Sequence, residues 1–91
     1  MQSVPSARRY VADLSTEIFH DRWSGGVCPD LERLVRSGSF AGAGIGLGVR
    51  QLSRHREIGS LPGFVVGDRD SVREWWHAGL SACQQCFVRR W

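Results

Sequence analysis

GSFAGAGIGLGVRQLSRHRE, residues 38–57, passes from alternating glycines into a run that carries Arg50, Arg54, Arg56 and His55. Three readings compete for it: a phosphate-cradling loop, a membrane insert, and the two helices of a DNA reader. A Walker-type loop needs a lysine after its last glycine to reach the outer phosphates, and the chain has no lysine. The dinucleotide fingerprint G-x-G-x-x-G fails too, because Val49 stands in the third glycine place after Gly44 and Gly46, and Leu47 after Gly42 and Gly44. The longest apolar run, Phe40 to Val49, is ten residues. As a helix it would rise about 15 Å against a hydrocarbon core of roughly 30 Å, so no membrane span is expected. The pair of DNA-reading helices stays open beside a plainer alternative, a solvated polar face with Leu52 and Ile58 packed inward.

A chain of 91 residues suffices for one domain with a modest core. Twelve basic residues, all arginine, against nine acidic ones give a net charge of +3. Arginine bias fits a GC-rich genome, yet arginine is also the better residue for bidentate phosphate contacts, so an anionic partner is favoured. Three cysteines make an odd count, and no charged segment followed by an apolar one opens the chain. Both features point to a reduced, cytoplasmic protein.

On the N-terminal side, Tyr10, Val11, Leu14, Ile18 and Phe19 keep the spacing of one helical face, which predicts a helix over 6–23. CPDLERLVRSG restarts a second helix, with Pro29 and Asp30 in its first turn, Leu31, Leu34 and Val35 inward, and Gly38 beyond its end. Ile58 to Gly67, with Pro62, Gly63, Val65 and Val66, reads as a turn and short strand. Ser71 and Glu74 have capping-box spacing, and the stripe Val72, Trp75, Trp76, Gly79, Leu80, Cys83, Cys86 and Phe87 predicts a long C-terminal helix. The fold expected is a small, mainly α-helical domain. Residues 1–30 form a helical extension, 31–70 a winged helix-turn-helix with one short strand or hairpin, and 71–91 the C-terminal helix.

The metal question turns on that last helix. His77, Cys83 and Cys86 lie within ten residues, and Cys28 or His20 would complete a tetrahedral set. In one continuous helix, however, Cys83 and Cys86 share a side about 60° apart, whereas His77 lies about 180° from Cys86. Zinc therefore requires a break at Gly79. A lone CxxC with no second pair signals little by itself, and the expectation is no metal and no cofactor, with the cysteines packed as small apolar groups. Cys83 is too deep in the helix for thioredoxin-like chemistry. Ser24, Ser39, Ser53 and Cys28 lack a nucleophile-elbow context. Asp68 and Asp70 read as a turn and helix cap. No enzyme signature emerges.

From Leu31 onward an ordered series of cues resembles the winged helix-turn-helix domain of LysR-type transcription regulators. Gly38, Ser39 and Phe40 match the end of its first helix, and Ala41, Ala43 and Leu47 its alanine-rich second helix. Val49, Gln51, Ser53 and Arg54 match the recognition helix. Leu61, Pro62, Phe64, Arg69 and Arg73 match the strand and arginine-bearing wing, and Ala78 and Gly79 open the linker helix. Departures are plain: Gly42, Gly44, Gly46 and Gly48 crowd the second helix, each costing about 0.8–1 kcal/mol relative to alanine, and no effector domain follows within the chain. The resemblance implies a DNA-binding regulatory domain that dimerises through its C-terminal helix. Arg50, Gln51, Ser53, Arg54, His55 and Arg56 would read the groove, the inventory used on phosphates and purine edges. Arg69 and Arg73 would touch backbone.

A rival reading comes from the tryptophans. Aromatic and arginine side chains are enriched in interface hot spots, so Trp75, Trp76 and Trp91 would serve an inhibitor or adaptor, as from a mobile element, that captures a protein partner. The bland alternative is that the adjacent pair anchors the core.

Overall fold

The computed structural model describes residues 4–38, 43–45, 48–60 and 62–87. The chain opens with a 3-10 turn, Ser6–Arg8, and runs into an antiparallel pair, β1 (Tyr10–Asp13) and β2 (Ile18–Asp21). A second 3-10 turn, Arg22–Val27, leads to α1 (Pro29–Ser37), and then follow β3 (Gly44–Ile45), α2 (Val49–Glu57), β4 (Phe64–Gly67), α3 (Arg69–His77), β5 (Ser81–Ala82) and α4 (Gln84–Phe87). The strands form one mixed sheet in the order β3-β4-β1-β2-β5. β1 is antiparallel to β2 and β4, while β3–β4 and β2–β5 are parallel pairs. The architecture is α+β, which corrects the mainly helical expectation. Among the described residues no helix is long and apolar enough to cross a membrane.

The expected first helix is instead the β1–β2 hairpin. Asp13 makes the turn, accepting from the Ser15 amide at 3.0 Å and the Ser15 hydroxyl at 2.7 Å, and Glu17 takes the left-handed conformation at φ 60°. Aromatic and β-branched residues suit such strands. Because both faces of the sheet are covered, the apolar residues do not alternate with polar ones. Tyr10, Ala12 and Phe19 pack on one face with Leu52 of α2, Val65 of β4 and Trp75 of α3. Val11 and Val66 pack on the other with Cys28, Leu31 of α1 and Cys83.

α1 follows its sequence signals, with Pro29 at its start and Gly38 closing it in the left-handed conformation at φ 67°. Leu31 is buried, but Val35, expected inward, is exposed. Residues 39–42, 46–47 and 61, which carry several cues of the winged-helix resemblance, lie outside the described residues. Where that resemblance places its second helix, Gly44–Ile45 is a strand alongside Val65 and Val66 of β4. β4 itself sits between β3 and β1 rather than in a wing, and Arg69 and Arg73 belong to α3.

Asp68, not Ser71, caps α3, accepting the Ser71 amide at 3.1 Å, and that hydrogen bond holds its carboxyl below the usual range. The long C-terminal helix stops after His77: Gly79 adopts φ 96°, the Leu80 amide returns to the Trp75 carbonyl, and the Ser81 amide donates to Glu17 of the hairpin turn. Glycine tolerates that backbone where a Cβ would not.

Gly67 of β4 lies close under α3: an added Cβ there would overlap the Ser71 side chain and sit 3.3 Å from the Trp75 ring. Gly67→Ala should therefore destabilise the domain by about 1–3 kcal/mol through overpacking. Urea unfolding at constant m-value would measure it, and an unchanged midpoint would contradict this packing.

Candidate functional site: an arginine face and a buried thiol–imidazole cluster

The basic segment forms α2 over Val49–Glu57, held to the core by Leu52, which is 1 % exposed. The six residues expected to read DNA divide into two groups around that anchor. Arg50 and Arg54 each lie about 160° around the helix from Leu52. Both are exposed, with Ser53 beside them. The other three serve the fold. Gln51 Oε1 accepts the Gly48 amide at 2.7 Å to close the helix N-terminus. His55 Nδ1 meets the Ser60 carbonyl at 3.1 Å. Arg56 donates to Glu17 at 2.8 Å and to the Ala78 carbonyl at 3.2 Å. On α3, Arg69 and Arg73 are one turn apart on the exposed side, away from Trp75.

The tryptophans proposed for a partner separate as well. Trp75 is fully buried and Trp76 is 62 % exposed, its ring edge-on to Phe19 at 6.5 Å. Trp91 lies outside the described residues.

On the opposite face of the sheet, His20, Cys28, Cys83 and Cys86 converge, their ligand atoms all within 4.8 Å of one another. Each is placed by a different local cause. His20 pairs with Val11 in the hairpin register and so points to the same face. Cys28 is the N-cap of α1, its sulfur accepting the Leu31 amide at 3.4 Å. The break at Gly79 lets β5 join β2, and the Cys83 amide then donates to the Phe19 carbonyl at 2.9 Å. Cys86 follows one turn later on α4. Cys28 Sγ stands 3.6 Å from Cys83 Sγ and 3.8 Å from His20 Nδ1, and Cys86 Sγ is 3.7 Å from the same nitrogen.

Burial dominates the electrostatics. It lowers the pKa of His20, against the raising influence of Asp30 and Asp13, and favours a neutral imidazole. Burial also pushes the Cys86 thiol up to about 12, while the Asp21 backbone and the Ser24 hydroxyl, which donates to the sulfur at 3.6 Å, pull the other way. His77, the histidine that sequence spacing favoured, is exposed on α3 and outside the cluster. The helical geometry that argued against a metal depended on a continuous helix from 71 to 90, and that helix is interrupted. No family of known proteins, no curated protein and no solved structure matches this chain.

Proposed function

We propose that this domain binds duplex DNA through the outward face of α2, in a regulatory role. Arg50 and Arg54 contact it first, and Arg69 and Arg73 of α3 meet the phosphate backbone alongside. The observation that carries this reading is the position of Arg50 and Arg54 opposite the buried Leu52, where the guanidinium groups reach solvent while the helix stays anchored. Arginine there suits phosphate oxygens and guanine edges alike, and the chain's net charge of +3 favours approach to a polyanion. With β3 in place of a second helix, the reading rests on these arginines and not on helix-turn-helix geometry.

Fluorescence-anisotropy titrations of a labelled duplex at two salt concentrations test it. Affinity should fall steeply as salt rises. Arg54→Ala should cost about 1–3 kcal/mol if it contacts a base, or lower the salt slope by about one if it contacts a phosphate. Folded Arg50→Ala and Arg54→Ala variants with wild-type affinity at low salt would refute the proposal. Of Trp75, Trp76 and Trp91, the protein-capture rival keeps Trp76 as an exposed ring, since Trp75 is buried and Trp91 lies outside the described residues. Loss of a protein partner in Trp76→Ala, with DNA binding absent throughout, would favour it.

A further inference from the structure

Beyond the DNA reading and independent of it, we propose that His20, Cys28, Cys83 and Cys86 hold one zinc ion in a closed tetrahedral site of three sulfurs and one nitrogen. The spacing of the four atoms suits a zinc ion. With Zn–S near 2.3 Å and Zn–N near 2.0–2.1 Å, a regular tetrahedron has S–S edges of about 3.8 Å and S–N edges of about 3.6 Å. Three of the cluster's six edges match: 3.6 Å from Cys28 Sγ to Cys83 Sγ, and 3.8 and 3.7 Å from His20 Nδ1 to the sulfurs of Cys28 and Cys86; all four atoms lie within 4.8 Å of one another, so small side-chain shifts would close the rest. A disulfide would bring its sulfurs to about 2.05 Å, and apolar packing would set no common centre for four polar atoms.

Protein donors also hold the sulfurs in place: Cys28 Sγ accepts the Leu31 amide at 3.4 Å at the start of α1, and Cys86 Sγ accepts the Ser24 hydroxyl at 3.6 Å. Such outer partners orient the ligands of a metal site. The ligands also come from three separate parts of the fold: strand β2, the N-cap of α1, and the segment from the end of β5 into α4.

Zinc is the ion this set selects. Cys₃His in a tetrahedron is a structural zinc set, iron–sulfur clusters ordinarily take four cysteines, and harder cations prefer oxygen. On binding, each thiol releases its proton to solvent and gives a sulfur electron pair to the metal, and His20 gives its Nδ1 lone pair. No redox change occurs, and the centre carries one net negative charge. Four protein ligands leave no open position, so its work is structural.

The test uses the whole chain, purified under reducing conditions. Elemental analysis should find about one zinc per chain. Cobalt(II) titration should give the visible absorption of a tetrahedral centre with sulfur-to-metal charge transfer, and zinc should displace it. Zinc-edge absorption should fit three sulfurs near 2.3 Å and one nitrogen near 2.0–2.1 Å. Cys86→Ser, at the most exposed ligand, should weaken cobalt binding by more than the ~10–100-fold that loss of an outer-shell partner brings, whereas His77→Ala should leave it unchanged. Folded, reduced wild-type protein that stays zinc-free after dialysis against micromolar zinc would overturn the assignment. So would an octahedral cobalt spectrum, or three thiols that alkylate equally fast with and without zinc.

Discussion

Stripped of zinc by a strong chelator, the domain should lose most of its thermal stability and recover it when zinc is restored. A ligand bound only by the folded state stabilises by about 4.1 kcal/mol when it is present at a thousand times its dissociation constant. In a domain this small each kcal/mol moves the melting temperature by about 4–8 °C, so the expected displacement is about 16–33 °C. The effect is large because of where the ligands lie. His20 ends the hairpin, Cys28 starts α1, and Cys83 and Cys86 fix the edge strand and α4. β5, only two residues long, is held by a few backbone hydrogen bonds, and without the metal it and α4 should detach first. Calorimetry with and without chelator would measure this, and identical transitions would show that the cluster bears no metal-dependent stability.

Trp75→Ala should cost about 3–5 kcal/mol, the range for removing a large buried aromatic ring. Its ring is fully buried, lies 6.0 Å from Phe19, and sits against the backbone of Gly67. Trp76→Ala, one residue away, should cost under about 1 kcal/mol because that ring is mostly solvated. Trp75→Phe should fall between the two. It keeps most of the apolar volume and removes the indole N–H, which is buried with no hydrogen-bond partner among the described residues. Equal losses in Trp75→Ala and Trp76→Ala would mean that the helix is rotated from the position described.

Several elements could be read directly from the sequence because local signals fix them. Pro29 and Gly38 bracket α1, the polar run 49–57 coincides with α2, and Val65 and Val66 fall in β4. The hairpin was not legible because Tyr10, Val11, Leu14, Ile18 and Phe19 satisfy a helical stripe as well as they satisfy two strands buried on both faces. The C-terminal stripe failed for a non-local reason: Ser81 and Cys83 pair with Glu17 and Phe19, which no local pattern announces. The site was half visible. The CQQC spacing and the need for a break at Gly79 could be recognised, but choosing His20 over His77 depends on the strand register opposite Val11.

The sheet order also governs when this protein can fold during its synthesis. The hairpin strands leave the ribosome before β4 and β5, so β1 must wait for β4, Tyr10 pairing with Gly67, and β2 must wait for β5, Ile18 pairing with Ser81. Both pairings join residues more than half the chain apart, and such contacts slow folding because distant ends must meet before they are stabilised. The nascent hairpin therefore travels with both of its outer edges unpaired, open to another strand. His20 on the hairpin and Cys28 after it likewise have no partners in the cluster until Cys83 and Cys86 emerge. Residues 81–87 thus close the sheet edge and complete the thiol–imidazole cluster in one step.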